Sequence, residues 1–130
     1  MIFVDTSAWF SRFVPDDPAH ARMSVWFAEN RQPLVTSDYC VDETLTLLVA
    51  RNRPKLAVEV GRLLFDESIA YLHFLTRAQI SRSWILFQRH AGAGWSFTDC
   101  TSKTVIDDLN VKEAVALDEH FHQFGVTVIS

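Results

Sequence analysis

Short apolar runs alternate with longer segments of helical periodicity along the whole chain. The apolar runs predict five strands: IFVD (2–5), PLVTS (33–37), IAYLHFL (69–75), EAVALD (113–118) and VTVIS (126–130). The longer segments repeat apolar residues every three or four positions, which predicts amphipathic helices. Strands that alternate with helices are typical of an α/β sandwich with a mainly parallel sheet.

Candidate capping residues indicate where the predicted helices begin. A side-chain oxygen at the cap accepts a hydrogen bond from an otherwise unpaired backbone N–H of the first turn. The expected caps are Thr6 or Ser7 for the first helix, Asp17 for the second with Pro18 in its first turn, Ser37 or Asp38 for the third, Thr76 for the fifth, and Ser96 or Thr98 for the sixth. The segment EHFHQFG (119–125) predicts a short helical turn.

Length and composition favour one folded domain that spans residues 1–130. The chain is 48% hydrophobic and contains ten Phe and four Trp, which is enough for a substantial core. It has no apolar run near the ~20 residues that a membrane span needs, and no secretory signal pattern, so we expect a cytoplasmic protein. Cys40 and Cys100 lack the spacing of a zinc or C-x-x-C motif and are expected to be buried free thiols.

Acidic residues occupy positions where a parallel sheet builds its ligand sites. Asp5 and Asp118 each end a predicted strand, and the carboxyl ends of parallel strands meet at one edge of the sheet. Asp99 opens the sixth helix, and either Asp42 or Glu43 contributes an acid from the third, since helical spacing does not choose between them. Each acid could also be an ordinary turn or helix-end residue.

Converging carboxylates need a counterion. Two unit charges about 5 Å apart repel by about 3 kcal/mol at an effective dielectric constant near 20. A site made only of oxygen ligands suits Mg²⁺ or Mn²⁺, and such ions support phosphodiester hydrolysis. The net charge of −4 is unfavourable for contact with nucleic acid, but two bound divalent cations would bring it close to zero.

Four motifs occur in an order and spacing that cover the chain from Ile2 to Val128. They are VDTSAW near the start, DETLTLLVAR in the third helix, SFTDC before the sixth and ALDEHF near the end. The sequence resembles PIN-domain ribonucleases, specifically the small VapC-type toxins of toxin–antitoxin pairs. The resemblance implies a three-layer α/β/α sandwich around a parallel sheet of four or five strands. It also implies a metal-dependent endoribonuclease acting on tRNA or an rRNA stem-loop, a VapB-type antitoxin and a homodimer.

The resemblance also implies roles for individual residues. Asp5, Glu43, Asp99 and Asp118 match the catalytic acids of the family, which favours Glu43 over Asp42. Asp5, Asp99 and Asp118 would ligate Mg²⁺ or Mn²⁺, and Glu43 would orient the attacking water. At the fourth position the family often has a threonine beside the acid, whereas Ala and Leu precede Asp118 here.

Hydroxyl groups near these acids are expected to support them. Thr6 or Ser7 matches the hydroxyl position after the first acid, and Thr98 is a further candidate. One of Thr6 and Ser7 is expected to cap the first helix while the other steadies the Asp5 carboxylate.

Two other groups of residues are weaker candidates. Arg51, Arg53 and Lys55 form a basic run that suits either RNA backbone contact or a solvated helix end. His120 and His122 lie two residues apart, and residues at that spacing do not share a helix face, so a metal role is disfavoured.

Two other functions fit parts of the pattern. An aspartate-nucleophile phosphatase or phosphotransferase would use Asp5, but its pattern needs an acid two residues later, where this chain has Ser7. A catalytically inactive PIN-like binding module is the other alternative, although all four acidic positions are filled.

Overall fold

Five short parallel strands form the centre of the structure, a computed structural model that describes all of residues 1–130. They are β1 (Ile2–Val4), β2 (Leu34–Ser37), β3 (Tyr71–His73), β4 (Glu113–Val115) and β5 (Thr127–Ile129). Their order in the sheet is β3-β2-β1-β4-β5, and every neighbouring pair is parallel. The predicted α/β fold and its parallel sheet are confirmed.

Six α-helices connect the strands. They are α1 (Thr6–Phe13), α2 (His20–Glu29), α3 (Asp38–Ala50), α4 (Pro54–Phe65), α5 (Arg77–His90) and α6 (Phe97–Asp108). Short 3₁₀ turns follow α5 at Ala91–Ala93 and β4 at Glu119–Gln123. None of the helices combines the length and apolar character needed to cross a membrane.

The alternation of side chains along β1 divides the core between two faces of the sheet. Successive strand residues point to opposite faces. Ile2 and Val4 pack with buried residues of α1 to α4, whereas Phe3 packs with buried residues of α6 and of the segment after β4. This arrangement is the three-layer α/β/α sandwich that the family resemblance implied. Cys40 and Cys100 are buried and unpaired, as predicted.

The first helix begins differently from the expectation. Asp5 itself is the N-cap of α1, and its carboxylate accepts a hydrogen bond from the backbone N–H of Ser7. The prediction that Thr6 or Ser7 caps this helix is therefore wrong. The reason is that β1 ends one residue before α1 begins, so the only junction residue is Asp5.

The second helix also begins later than predicted. The Asp17 carboxylate accepts a hydrogen bond from the Ala19 N–H at 3.0 Å and closes a turn instead of capping a helix. Ala19 is the N-cap of α2 and provides no side-chain hydrogen bond, so the prediction of Asp17 as the cap and Pro18 in the first turn is wrong. Elsewhere Ser37, Thr76 and Ser96 are the caps, each within its predicted set.

Candidate active site

The carboxylate of Asp5 lies at the carboxyl end of β1, in the middle of the sheet. It is 4% exposed. Its Oδ2 accepts hydrogen bonds from the Ser7 hydroxyl at 2.6 Å and from the Ser7 N–H at 3.1 Å. The same hydroxyl accepts a hydrogen bond from the N–H of Leu117 at 2.8 Å. Ser7 therefore joins the first acid to the chain segment that ends in Asp118.

The carboxylate of Asp99 is held at the amino end of α6. Asp99 and Ser96 form a capping box, in which the Ser96 hydroxyl accepts from the Asp99 N–H and the Asp99 carboxylate accepts from the Ser96 N–H at 2.9 Å. Asp99 is 4% exposed. The local sequence SFTD thus fixes one carboxylate oxygen by an interaction common to many helices.

Asp118 and His120 complete a cluster with Asp99. The Asp118 carboxylate caps the 3₁₀ turn after β4 by accepting the His120 N–H at 2.9 Å. The Nδ1 atom of His120 then lies 2.8 Å from Asp118 Oδ1 and 3.2 Å from Asp99 Oδ2. One potential ligand atom from each of the three residues lies within 4.8 Å of the others, a spacing compatible with a shared metal ion.

Glu43 is the acid that α3 contributes to this edge of the sheet. It is half-buried on the second turn of the helix and close enough to Asp5 to raise the pKa of that carboxyl. Asp42 is exposed. The structure thus brings Asp5, Glu43, Asp99 and Asp118 to one region from four separate elements.

Burial and mutual repulsion perturb the acids of this cluster. Burial raises the pKa of Asp5 to about 7, against the lowering effect of its hydrogen bonds to Ser7, and Glu43 and Asp118 raise it further. Burial also raises the pKa of Asp99 to about 6, with an additional contribution from Asp118. Desolvation is thus the main cause of both raised pKa values, and repulsion from neighbouring acids adds to it.

The other two predicted supporting hydroxyls do not contact a carboxylate. Thr6 is buried and donates to the carbonyl of Cys40 at 3.3 Å, so it ties α1 to α3. Thr98 is half-buried, and its carbonyl accepts a hydrogen bond from Thr101 at 2.6 Å. Of the three candidates, Ser7 is the residue whose hydroxyl binds an acid of the cluster.

The basic run lies away from the acidic cluster. Arg51 and Arg53 follow the carboxyl end of α3 and Lys55 begins α4, whereas Glu43 lies near the amino end of α3. Eight residues of helix correspond to about 12 Å along its axis. Arg53 forms an ion pair with Asp16, and Arg51 and Lys55 are exposed. Their contact with RNA stays a prediction.

A large groove on the surface is also separate from the acids. It has a volume of ≈ 770 Å³ and is lined mainly by apolar residues, among them Trp9, Phe27, Leu34 and Tyr71. Leu34 and Tyr71 begin β2 and β3, so the groove lies toward the amino ends of the strands, opposite the acidic edge. None of the candidate catalytic residues lines it.

His120 is the member of the cluster that sequence reasoning missed. His120 and His122 are close together in the sequence, but they lie in different surroundings. His122 is largely exposed beside Glu119, whereas His120 lies between Asp99 and Asp118. The useful signal was the Asp-x-His spacing, because an aspartate that caps a turn through the N–H two residues later holds that residue close to its own carboxylate.

A close relative is known in both sequence and structure, although no protein-family model matches the chain. The 23S rRNA-specific endonuclease VapC20 of Mycobacterium tuberculosis, in strains CDC 1551 and H37Rv, is 30% identical over 125 residues. That alignment covers 96% of this chain and 95% of the relative.

Two crystal structures share the fold. The M. tuberculosis VapC20 structure, described as a sarcin–ricin loop cleaving toxin, has a TM-score of 0.90 at 28% identity and covers 98% of this chain and 97% of that one. The FitAcB structure from Neisseria gonorrhoeae has a TM-score of 0.69 at 13% identity, covering 100% and 97%, and supports the fold alone. Identity of 30% across nearly the whole of both chains establishes the relationship: the chain belongs to the VapC family of PIN-domain endoribonuclease toxins.

Proposed function

We propose that this toxin cleaves RNA with a divalent cation, Mg²⁺ or Mn²⁺, held by Asp5, Asp99 and Asp118. The observation that carries the proposal is the convergence of acids from separate elements, of which the buried Asp5 and Asp99 have raised pKa values of about 7 and about 6. Carboxylate oxygens are the ligands that Mg²⁺ and Mn²⁺ favour, so the donor set fits either ion.

The chain supplies a preorganised set of oxygen ligands. A bound divalent cation would neutralise these carboxylates, acidify a water molecule and stabilise the charge that develops on the leaving oxygen. Ser7 fixes the Asp5 carboxylate, Ser96 fixes that of Asp99, and the His120 N–H fixes that of Asp118. Because each ligand already has one oxygen anchored, little side-chain entropy remains to be lost on binding.

Glu43 is proposed to act on the attacking water. It is more accessible than Asp5 and Asp99, so water reaches it readily. Its carboxylate would accept a proton from that water as the water oxygen attacks the phosphorus. The bond from phosphorus to the 3′ oxygen then breaks, and that oxygen takes a proton from solvent. The products are a 5′-phosphate and a 3′-hydroxyl.

The proposed substrate class is structured RNA, either an rRNA stem-loop or a tRNA. The relative VapC20 is named as specific for 23S rRNA, which makes an rRNA stem-loop the first substrate to test. Arg51, Arg53 and Lys55 are proposed to contact the RNA backbone away from the cleaved bond. The protein would act in the cytoplasm, where these RNAs are found.

We further propose that a VapB-type antitoxin and a second copy of the chain bind this protein. Large apolar side chains are exposed on its surface, and Phe65, Tyr71, Phe74 and Trp84 are each more than half exposed. Exposed apolar surface of this kind is typical of protein contact sites. Co-expression with a candidate VapB-type antitoxin, followed by size-exclusion chromatography with light scattering, would measure both associations.

Expression in cells tests the proposed function directly. Induction of the wild-type chain should arrest growth and create new RNA 5′ ends, whereas Asp5→Asn at equal protein level should do neither. Asp42→Asn is a matched control because Asp42 is an exposed acid on the same helix as Glu43. Equal growth and identical RNA ends in all strains would contradict the proposal and favour a binding module without catalysis.

A further inference from the structure

The imidazole of His120 has an unusual position for a residue that serves only to pair with acids. Its Nδ1 atom is buried and lies 2.8 Å from Asp118 and 3.2 Å from Asp99, yet it donates a hydrogen bond to neither. A charged pair at these distances normally forms a nearly straight N–H···O bond. The short separations therefore need another explanation.

Ligands that share one ion have this combination of short distance and poor alignment. Two ligand atoms about 2.1 Å from an octahedral ion, at right angles to each other, lie about 3.0 Å apart. The axis of the nitrogen lone pair then points at the ion, about 45° away from the neighbouring oxygen, which is too bent for a good hydrogen bond. The two separations at His120 bracket this value.

Backbone lies close to the imidazole on two sides. The His120 N–H is bound to the Asp118 carboxylate, which fixes the start of the side chain. On the far edge of the ring, Nε2 faces Gly94, where a methyl group would lie only 3.6 Å away. Gly94 has a φ of 87°, a conformation that glycine adopts without strain, so the loop passes close beside the imidazole.

We propose that His120 binds the catalytic cation through Nδ1 together with Asp99 and Asp118, so that the site prefers Mn²⁺ to Mg²⁺. This inference rests on the proposed metal-dependent function and adds a nitrogen ligand to its oxygen set. Imidazole binds transition-metal ions well, whereas Mg²⁺ strongly favours oxygen ligands. A nitrogen ligand therefore selects between two ions that the three carboxylates alone would bind with similar affinity.

The test uses the full chain with Mn²⁺ and detects the ligand directly. Pulsed electron paramagnetic resonance on the Mn²⁺-loaded wild type should show magnetic coupling to a ¹⁴N nucleus. His120→Asn should remove this coupling, and His120→Gln provides a second variant if the first does not fold. His122→Ala is the matched control, because His122 is a neighbouring histidine that is 58% exposed, and it should retain the coupling.

Calorimetric titration with each ion gives a second readout. The ratio of Mn²⁺ to Mg²⁺ affinity should fall by about tenfold or more in His120→Asn and stay unchanged in His122→Ala. Wild-type protein that binds Mn²⁺ without nitrogen coupling, while Asp5→Asn does not bind it, would overturn the role of His120 and leave the proposed function standing. Nitrogen coupling that persists in His120→Asn would also overturn it. Failure of the wild type to bind either ion would overturn both.

Discussion

The two ends of α6 carry aspartates with opposite properties. Asp99 lies in the first turn, where burial raises its pKa to about 6. Asp108 ends the helix, and hydrogen bonds from Arg82 and then Gln79 lower its pKa to about 2. The helix dipole alone would produce the reverse order, because it favours negative charge at the amino end.

The helix dipole is too weak to set the order of the two pKa values. Its contribution is about 0.3–1 kcal/mol, whereas the shift of Asp99 corresponds to about 3 kcal/mol at 1.36 kcal/mol for each pKa unit. Arg82 Nη1 lies 2.7 Å from the Asp108 carboxylate, and Gln79 Nε2 lies 2.9 Å from it. Asp99 faces Asp118 instead. The fold thus gives Asp108 two hydrogen-bond donors, whereas it places Asp99 in a buried position beside a second acid.

Catalysis gives the largest predicted difference between the two ends. Asp99→Asn should reduce RNA cleavage by about a thousandfold or more, because it removes a charged ligand from the site. Asp108→Asn should leave the rate within about threefold, since that carboxylate only joins α6 to α5. Single-turnover cleavage rates of the two purified variants measure the difference. Equal losses of cleavage rate in the two variants would contradict a catalytic role that is specific to Asp99.

The pH dependence of metal-free stability should follow the raised pKa values. A carboxyl whose pKa is higher in the folded state stabilises the fold below its unfolded pKa near 3.8, and this contribution is lost as pH rises through about 6 for Asp99 and about 7 for Asp5. The free energy of unfolding should therefore fall between about pH 4 and pH 7, by up to about 4 kcal/mol from Asp5 alone.

Asp108 should change the free energy of unfolding with pH in the opposite direction. Its lowered pKa stabilises the fold above about 3.8, and that contribution is lost as pH falls through about 2. Urea unfolding across the pH range, in chelator, should show the high-pH loss reduced in Asp5→Asn and unchanged in Asp108→Asn. A flat profile for the wild type between about pH 4 and pH 7 would contradict the raised pKa values.

Divalent cations should stabilise only proteins with an intact acidic cluster. Mn²⁺ at about one hundred times its dissociation constant should stabilise the wild type by about 2.7 kcal/mol. Asp108→Asn should gain the same amount, and Asp99→Asn should gain little. Thermal unfolding with and without Mn²⁺ measures these increments. A full increment in Asp99→Asn would place the bound ion elsewhere.

Replacing Asp99 or Asp108 with asparagine should change the stability of the metal-free protein in opposite directions. At pH 8 in chelator, Asp99→Asn should stabilise the fold by about 1–2 kcal/mol, because the asparagine Oδ1 can still accept the Ser96 N–H and the side chain carries no buried charge. Asp108→Asn should lower Tm, because Arg82 and Gln79 lose a charged partner. Destabilisation by Asp99→Asn would show that the charge of this carboxylate is already compensated within the protein.

Sequence patterns predicted the sheet and the sixth-helix cap because both depend on local chemistry. The apolar run IFV signals a strand buried on both faces, although its pairing with β2 and β4 joins distant residues, and Ser96 and Asp99 form the capping box within one helical turn. The choice between Asp42 and Glu43 depends on which side of α3 faces Asp5, a tertiary relation that helical spacing does not contain.

Two errors have local physical causes. The predicted start of α2 is wrong because an aspartate can accept a backbone N–H in a turn as well as at a helix end. In this structure the Asp17 carboxylate accepts the Ala19 N–H in a turn before the helix. At α1, Asp5 both caps the helix and belongs to the acidic cluster, so the separate cap expected at Thr6 or Ser7 is not needed. One oxygen of the carboxylate serves the helix, and the other faces the Cys40 Sγ at 4.0 Å.

The chemical nature of the RNA ends tests the central claim most directly. Purified protein is incubated with total RNA, with and without Mn²⁺ or Mg²⁺, and the new ends are captured by ligation that distinguishes phosphate from hydroxyl. The account predicts cleavage only with a divalent cation, leaving a 5′-phosphate and a 3′-hydroxyl, and none from Asp99→Asn. Cleavage in chelator, or a 2′,3′-cyclic phosphate product, would contradict it.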